Sequence, residues 1–342
     1  MDVRLSTEQE ALRQSAARVV DQLGPHAVAE IAGIGDAGRT AKLEAAVSTS
    51  GWRELRDADD GGQPLTSGVE VALIAEELGR GLADVPFLGR ILAGELRRMV
   101  GAPASRSIET VAFTPDLLSL ADAAGDAASS VAVDAHGSTR ALLLSSRPDR
   151  HRLLQIELAP GEHHVDLTRP AKLLAGPMAS ATTVADRPIS NDDLARWSAL
   201  SLALAGADLV GIMRGAVQLA TDYATHRRQY GAAIGSFQAV QHMLANAFVL
   251  MEGSRSVALH AAWAVDALPA DDALAAAAVA KAYCARAALT VCETAIQVHG
   301  GIGNTWDCLA HVYLRRALLS SDLLGGTGAS MDRVLVHYGI GA

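Results

Sequence analysis

Two short segments hold the residue types that would bind a charged cofactor. The first is HRRQYGAAIGSFQAVQH, residues 226–242. It sets Arg227 and Arg228 at the end of an apolar-periodic run, then a glycine turn, then Ser236, expected to N-cap a new helix. The second is QVHGGIGNTWD, residues 297–307, where paired glycines end one helix and another begins. Both segments put arginine, glutamine amides or bare glycine backbone beside helix ends. Holding a pyrophosphate needs that equipment, because glycine lets backbone N–H groups approach and arginine neutralises the charge. Each also has a plainer reading. Gly-Gly-x-Gly after a helix makes a C-cap and turn, and arginines at a helix C-terminus offset its dipole. Taken singly, neither names a ligand.

The pattern along the chain says what must position these segments. Residues 6–23 open with Ser6 and Gln9, the spacing of a capping box, and run with helical periodicity. Further helices are expected over 38–50, from Pro64-Leu65-Thr66 to Arg80, and from Pro86 to Val100, where Gly101-Ala102-Pro103 breaks the run. Residues 109–114, 130–134, 139–145 and 152–158 are short apolar runs between Gly, Pro, Asp and Ser clusters, which reads as strands; 163–168 and 180–187 are expected to add two more. Long helices then cover 192–226, 237–267 and 271–299, with shorter ones at 305–322 and 326–338. The alanine-rich run LAAAAVAKAYCARAAL allows close helix approach, as in a bundle. The fold expected is mostly α with a small middle β domain: a helical domain 1–105, a β domain 106–190 and a helical bundle 191–342.

Composition bounds the function. Half of the 342 residues are hydrophobic but only 4 % are aromatic, a core of Ala, Leu and Val that favours helices. The formal net charge of -9 argues against nucleic acid as a main partner, which calls for a basic surface. The N-terminus has no basic start followed by an apolar run, and the apolar stretch 197–207, ended by Asp208, is short for a membrane span. Cys284, Cys292 and Cys308 lack zinc spacing and read as buried free thiols. A soluble, cytoplasmic protein without a membrane partner is expected.

Together, at their spacing, the two segments closely resemble the C-terminal domain of the acyl-CoA dehydrogenase family. That family reads Arg-x-x-aromatic-Gly, then Ile-x-x-Phe-Gln, then Gln-x-x-Gly-Gly-x-Gly about sixty residues later. Here these stand as Arg227-Arg228-Gln229-Tyr230-Gly231, Ile234-Gly235-Ser236-Phe237-Gln238 and Gln297-Val298-His299-Gly300-Gly301-Ile302-Gly303. The resemblance extends back through GADLVGIMRGAVQLATDYA to Gly61-Gly62 and Glu76-Glu77-Leu78-Gly79-Arg80, and so covers nearly the whole chain.

The resemblance implies FAD bound across a subunit interface. One subunit's β domain cradles the flavin ring, and its neighbour's C-terminal domain holds the adenosine and pyrophosphate. Arg227, Tyr230, Gln238, Gln297, Gly300 and Gly301 match that reaching half. The family's ring-holding Thr-Glu-Pro-x-x-Gly-Ser-Asp strand has no good match; the nearest stretches are Phe113-Thr114-Pro115-Asp116 and Ala123-Ala124-Gly125-Asp126. The catalytic glutamate is missing too. Its usual Glu-Gly-Thr turn reads Leu323-Leu324-Gly325-Gly326-Thr327 here, so Leu324 or Gly325 stands at the base position, and the alternative helix position holds Ser201. None can abstract a proton α to a thioester, which needs a carboxylate in a dry pocket.

The expectation is therefore a chain with no catalytic residue of its own. It would be the glutamate-lacking subunit of an α2β2 acyl-CoA dehydrogenase that acts on an acyl-CoA, with a homologous catalytic subunit as partner. The segment 300–317 looks like the bacterial subgroup acting on CoA thioesters of steroid side chains. Two alternatives stay open: a self-sufficient homo-oligomer using Asp322 or Asp307 as base, and a non-enzymatic relative that binds acyl-CoA or protein.

Overall fold

Ser6 starts the first helix by the reciprocal cap its spacing implies. Its hydroxyl accepts the Gln9 N–H, and the Gln9 side chain accepts the Ser6 N–H at 3.0 Å, opening α1 (Thr7–Leu23). Helices α2 (Ala37–Thr49), α3 (Gly68–Arg80) and α4 (Leu88–Met99) follow. The computed structural model describes residues 4–31, 37–105, 107–123, 129–147, 150–176 and 180–340. Most of the Ala123-Ala124-Gly125-Asp126 stretch lies outside the described residues.

The strands are β1 (Glu109–Phe113), β2 (Val131–Ala132), β3 (Arg140–Arg147), β4 (Arg150–Glu157), β5 (Lys172–Leu173) and β6 (Thr182–Thr183), forming one sheet in the order β5-β2-β1-β3-β4-β6. β1 runs parallel to β3, and β3 pairs antiparallel with β4 from Arg140 opposite Glu157 to Arg147 opposite Arg150. β1 is buried at every position, as its unbroken apolar centre implies. Residues 163–168 form no strand. There the Asp166 carboxylate accepts the Thr168 N–H at 2.8 Å and the Arg169 Nε at 2.9 Å, and this local turn displaces the edge strand to β5. The runs 130–134 and 180–187 shrink to two-residue strands.

The rest is helical: α5 (Asn191–His226), a hairpin β7 (Arg228–Gln229) and β8 (Ala232–Ala233), α6 (Gln238–Ala267), α7 (Ala270–His299), α8 (Ala310–Asp322) and α9 (Thr327–His337). Two local expectations are corrected. Ser236 does not cap α6; its hydroxyl donates to the Ala233 carbonyl at 2.6 Å, and Phe237 holds the cap position without a side-chain bond. α8 starts at Ala310, because residues 300–304 form a 3-10 turn. As expected, α5 runs on past Asp208, whose charge is paired inside the protein. α5 and the 270–304 segment are thus long and apolar enough to cross a bilayer, but 89 % of the most apolar window of α5 is buried inside the protein.

One apolar core joins all three regions. It runs from Ala16 on α1 through Phe113 and Leu142 of the sheet to Trp197, Ala261 and Leu324. The Trp197 indole donates to the Leu92 carbonyl at 3.0 Å, tying α5 to α4. Cys284, Cys292 and Cys308 are free and buried, and burial pushes the Cys284 thiol up to about 12. They are inert packing residues.

Candidate functional site

The two sequence segments meet at one end of the bundle. Tyr223 lies one turn before Arg227 on α5, and its ring stacks on His299 at the end of α7, with centroids 4.4 Å apart. The Arg227 N–H closes α5 on the Tyr223 carbonyl at 2.8 Å, so this stack sets the Arg227 segment beside the paired glycines. Tyr230 and Gly231, both with positive φ, turn the β7–β8 hairpin. The hairpin holds the Tyr230 ring 95 % exposed, edge-on to Phe237 at 6.3 Å.

Arg227, Tyr230, Gln238, Gln297, Gly300 and Gly301 are all exposed. α6 begins at Gln238 without a side-chain cap, leaving N–H groups at its start for an outside acceptor. The glycine pair works differently from the sequence expectation. The Gly300 N–H is spent closing α7 on the Gln297 and Ile296 carbonyls, so it is not free for a phosphate. What the pair offers is open surface, since a Cβ at either glycine would meet nothing within 4 Å. A guanidinium, two amides, an uncapped helix start and bare backbone suit a pyrophosphate.

The surface leading to this end carries exposed apolar side chains among polar ones. Phe248 and Val249 on α6, Val279 and Tyr283 on α7, and Ile302 and Trp306 beyond it are exposed. On α7 the exposed positions 279, 283, 286, 290, 293 and 297 fall on one helical face that ends at Gln297.

The base position is the opposite kind of place. Leu324 is 3 % exposed at φ 60°, followed by Gly325 at φ 83°. A Cβ at Gly325 would stand 2.5 Å from Leu118 Cδ2 and 2.8 Å from Ala329 Cβ. Leu118 belongs to the segment after Phe113-Thr114-Pro115-Asp116, so the stretch at the place of the flavin strand packs onto the loop at the place of the base. Arg333 donates to the Leu324 carbonyl at 2.7 Å and to the Leu118 carbonyl at 3.5 Å. From behind, the buried Lys281 ammonium donates to Ser321 O at 2.7 Å and Leu323 O at 2.8 Å, and burial lowers it to about 8. Sequence reasoning passed over Leu118, Lys281 and Arg333. Lys281 was visible as a lone charge on the core face of an alanine-rich helix.

The remaining candidates supply no base. The buried Ser201 hydroxyl donates to its own helix at Trp197 O, 2.8 Å away. Asp307 and Asp322 are exposed, without the dry pocket a base needs.

Between the sheet and the bundle lies a buried charge cluster. Asp208 meets Arg316 at 2.7 Å and Arg169 at 3.1 Å and accepts the Ser320 hydroxyl at 2.6 Å, while Arg169 also holds Asp166. Burial alone would raise the Asp208 carboxyl, but the two guanidiniums hold it below the usual range. The space left beside this cluster, against Leu78, Phe87 and Leu88, is about 10 Å³. Among the described residues, then, the positions matched to the nucleotide side stand open at the surface, and the loop matched to the base position is filled.

Comparison with known proteins identifies the family. Residues 182–336 match the family model described as acyl-CoA dehydrogenase, C-terminal domain. The acyl-CoA dehydrogenase IpdE2 of Mycobacterium tuberculosis is 30 % identical over 267 residues, covering 75 % of this chain and 73 % of that protein. Among solved structures, a variant of the Tcur3481-Tcur3483 steroid ACAD superposes with a TM-score of 0.79 at 21 % identity, covering 97 % of this chain and 98 % of that one. The ChsE4-ChsE5 complex from Mycobacterium tuberculosis gives 0.74 at 21 %, covering 99 % of each. By sequence kinship and by fold, this chain belongs to the acyl-CoA dehydrogenase family, whose cofactor is FAD.

Proposed function

We propose that this chain is the glutamate-lacking subunit of an α2β2 acyl-CoA dehydrogenase and lends its bundle end to the FAD of a homologous catalytic subunit. The observation that carries the reading is the contrast at the base loop. Leu324 and Gly325 are sealed under Leu118, while every residue matched to the nucleotide side is exposed. FAD supplies the acceptor for the hydride that leaves the β carbon of the thioester. On this reading Arg227 neutralises the pyrophosphate, Gln238 and Gln297 orient it through their amides, and the Tyr223–His299 stack keeps the two segments in register. The proton-abstracting carboxylate comes from the partner. The exposed Phe248, Val249, Val279 and Tyr283 on α6 and α7 are where that partner would sit. Likeness to the Tcur3481-Tcur3483 steroid ACAD supports a steroid-derived CoA thioester as substrate.

Asp322 and Asp307 lie in solvent, which disfavours the self-sufficient reading. A dye-linked dehydrogenation assay of the chain alone and co-purified with a glutamate-bearing homologue tests the proposal. Turnover by the complex and none by the chain alone is expected. Turnover by the isolated chain would end it.

A further inference from the structure

A groove of about 870 Å³ opens on the sheet, away from the bundle end, between the start of β3, the end of β4, β5 and the linker after α4. Three of its polar groups come from neighbouring backbone. Ser138 is 1 % exposed, and its buried hydroxyl has no hydrogen-bond partner among the described residues. Two residues on, Arg140 opens β3 and has neither a hydrogen-bond nor an ion-pair partner among the described residues. Lys172 opens β5 and donates to the Ser138 carbonyl at 3.0 Å, with Glu162 at 3.6 Å. The carboxylates beside Arg140 do not occupy it: Glu109, its neighbour on β1, is bound by Arg97, and Glu157 lies opposite on β4 without an ion pair.

An orphaned buried hydroxyl is costly unless something accepts from it. A free guanidinium next to it is a fork matched to a tetrahedral oxyanion, and an ammonium adds a second positive charge. We propose that this groove binds a phosphate monoester, its phosphoryl oxygens held by Arg140 and the Ser138 hydroxyl with Lys172 alongside. The site stands apart from the pyrophosphate-binding residues proposed above and does not depend on them. The rest of the ligand would lie over the apolar stretch formed by Leu158, Ala159 and Pro160 at the end of β4.

The test is calorimetric titration of the full chain with inorganic phosphate, and in parallel with acetate, at constant ionic strength. Saturable phosphate binding with one equivalent per chain is expected, with acetate at least tenfold weaker. Arg140→Gln and Ser138→Ala should each weaken phosphate about tenfold, the size of a lost bond to a charged group. Neither should lower the unfolding midpoint measured without phosphate, because neither side chain has a partner to lose. The idea is overturned by the absence of saturable heat, by acetate binding as tightly, or by phosphate binding that survives both substitutions. A structural water satisfying Ser138 would give the first of these results.

Discussion

The two regions matched to the family's cofactor segments and to its base loop are built differently in this molecule. At the bundle end, the arginine, the amides and the open glycines stand in solvent, held in place by a ring stack and a hairpin turn. At the base loop, the same fold has been filled: Leu118 and Arg333 close on Leu324 and Gly325, and Lys281 holds the loop just before them at Ser321 and Leu323. A surface kept open that serves nothing inside its own chain points outward, to another chain. An interior kept closed has been given over to stability. On the proposed function, the contrast is that of a fold that has lost a reaction and kept an interface.

The largest effect should come from breaking the closed side at its buried charges. Asp208→Ala leaves Arg169 and Arg316 buried without their shared partner, and a loss of about 3–5 kcal/mol in denaturant unfolding is expected. Because the folded-state Asp208 carboxyl is held below its ordinary value, its contribution is full above about pH 4 and fades only as pH falls further. The acid limb of the wild-type stability profile should therefore be steeper than that of the variant.

Next in size is an attempt to restore the base. Gly325→Glu puts a side chain at positive φ and into Leu118, at a cost of about 2–4 kcal/mol from backbone strain and overpacking. It should yield no dehydrogenation in a dye-linked assay. Adding Leu118→Ala should recover part of the lost stability and still no activity. Activity in the single variant would mean that the ring side is open after all.

On the open side the effect moves from folding to binding. Arg227→Ala should weaken FAD retention by the assembled complex by about 1.5–3 kcal/mol, the range for a lost bond to a charged group. Fold stability should change by only a few tenths of a kcal/mol, since Arg227 is exposed at a helix end. An arginine that merely offsets the α5 dipole would leave FAD affinity untouched.

Much of this contrast was legible before the fold was known. Capping residues, apolar period and glycine breaks placed the long helices to within a few residues, because Ser6 and the long apolar faces leave little choice. The motif spacing marked the open side, and the absent glutamate marked the closed one. Three things were not legible. Short strands depend on neighbours rather than on their own pattern, so 163–168 lost its place to β5 once Asp166 captured the local N–H groups. The burial of Asp208 was not visible because its two arginine partners lie far off in sequence, at 169 and 316. The seal over Gly325 could not be read at all, since Leu118 and Gly325 meet only through the tertiary fold. Sequence named the residues at both ends; only the packing showed what fills the base loop.

The central claim is that this chain carries half of a flavin site, and cofactor stoichiometry tests it most directly. FAD released from the purified two-subunit complex should amount to one per pair of unlike chains, and this chain purified alone should hold essentially none. Two FAD per pair, or a stoichiometric flavin spectrum from the isolated chain, would contradict it.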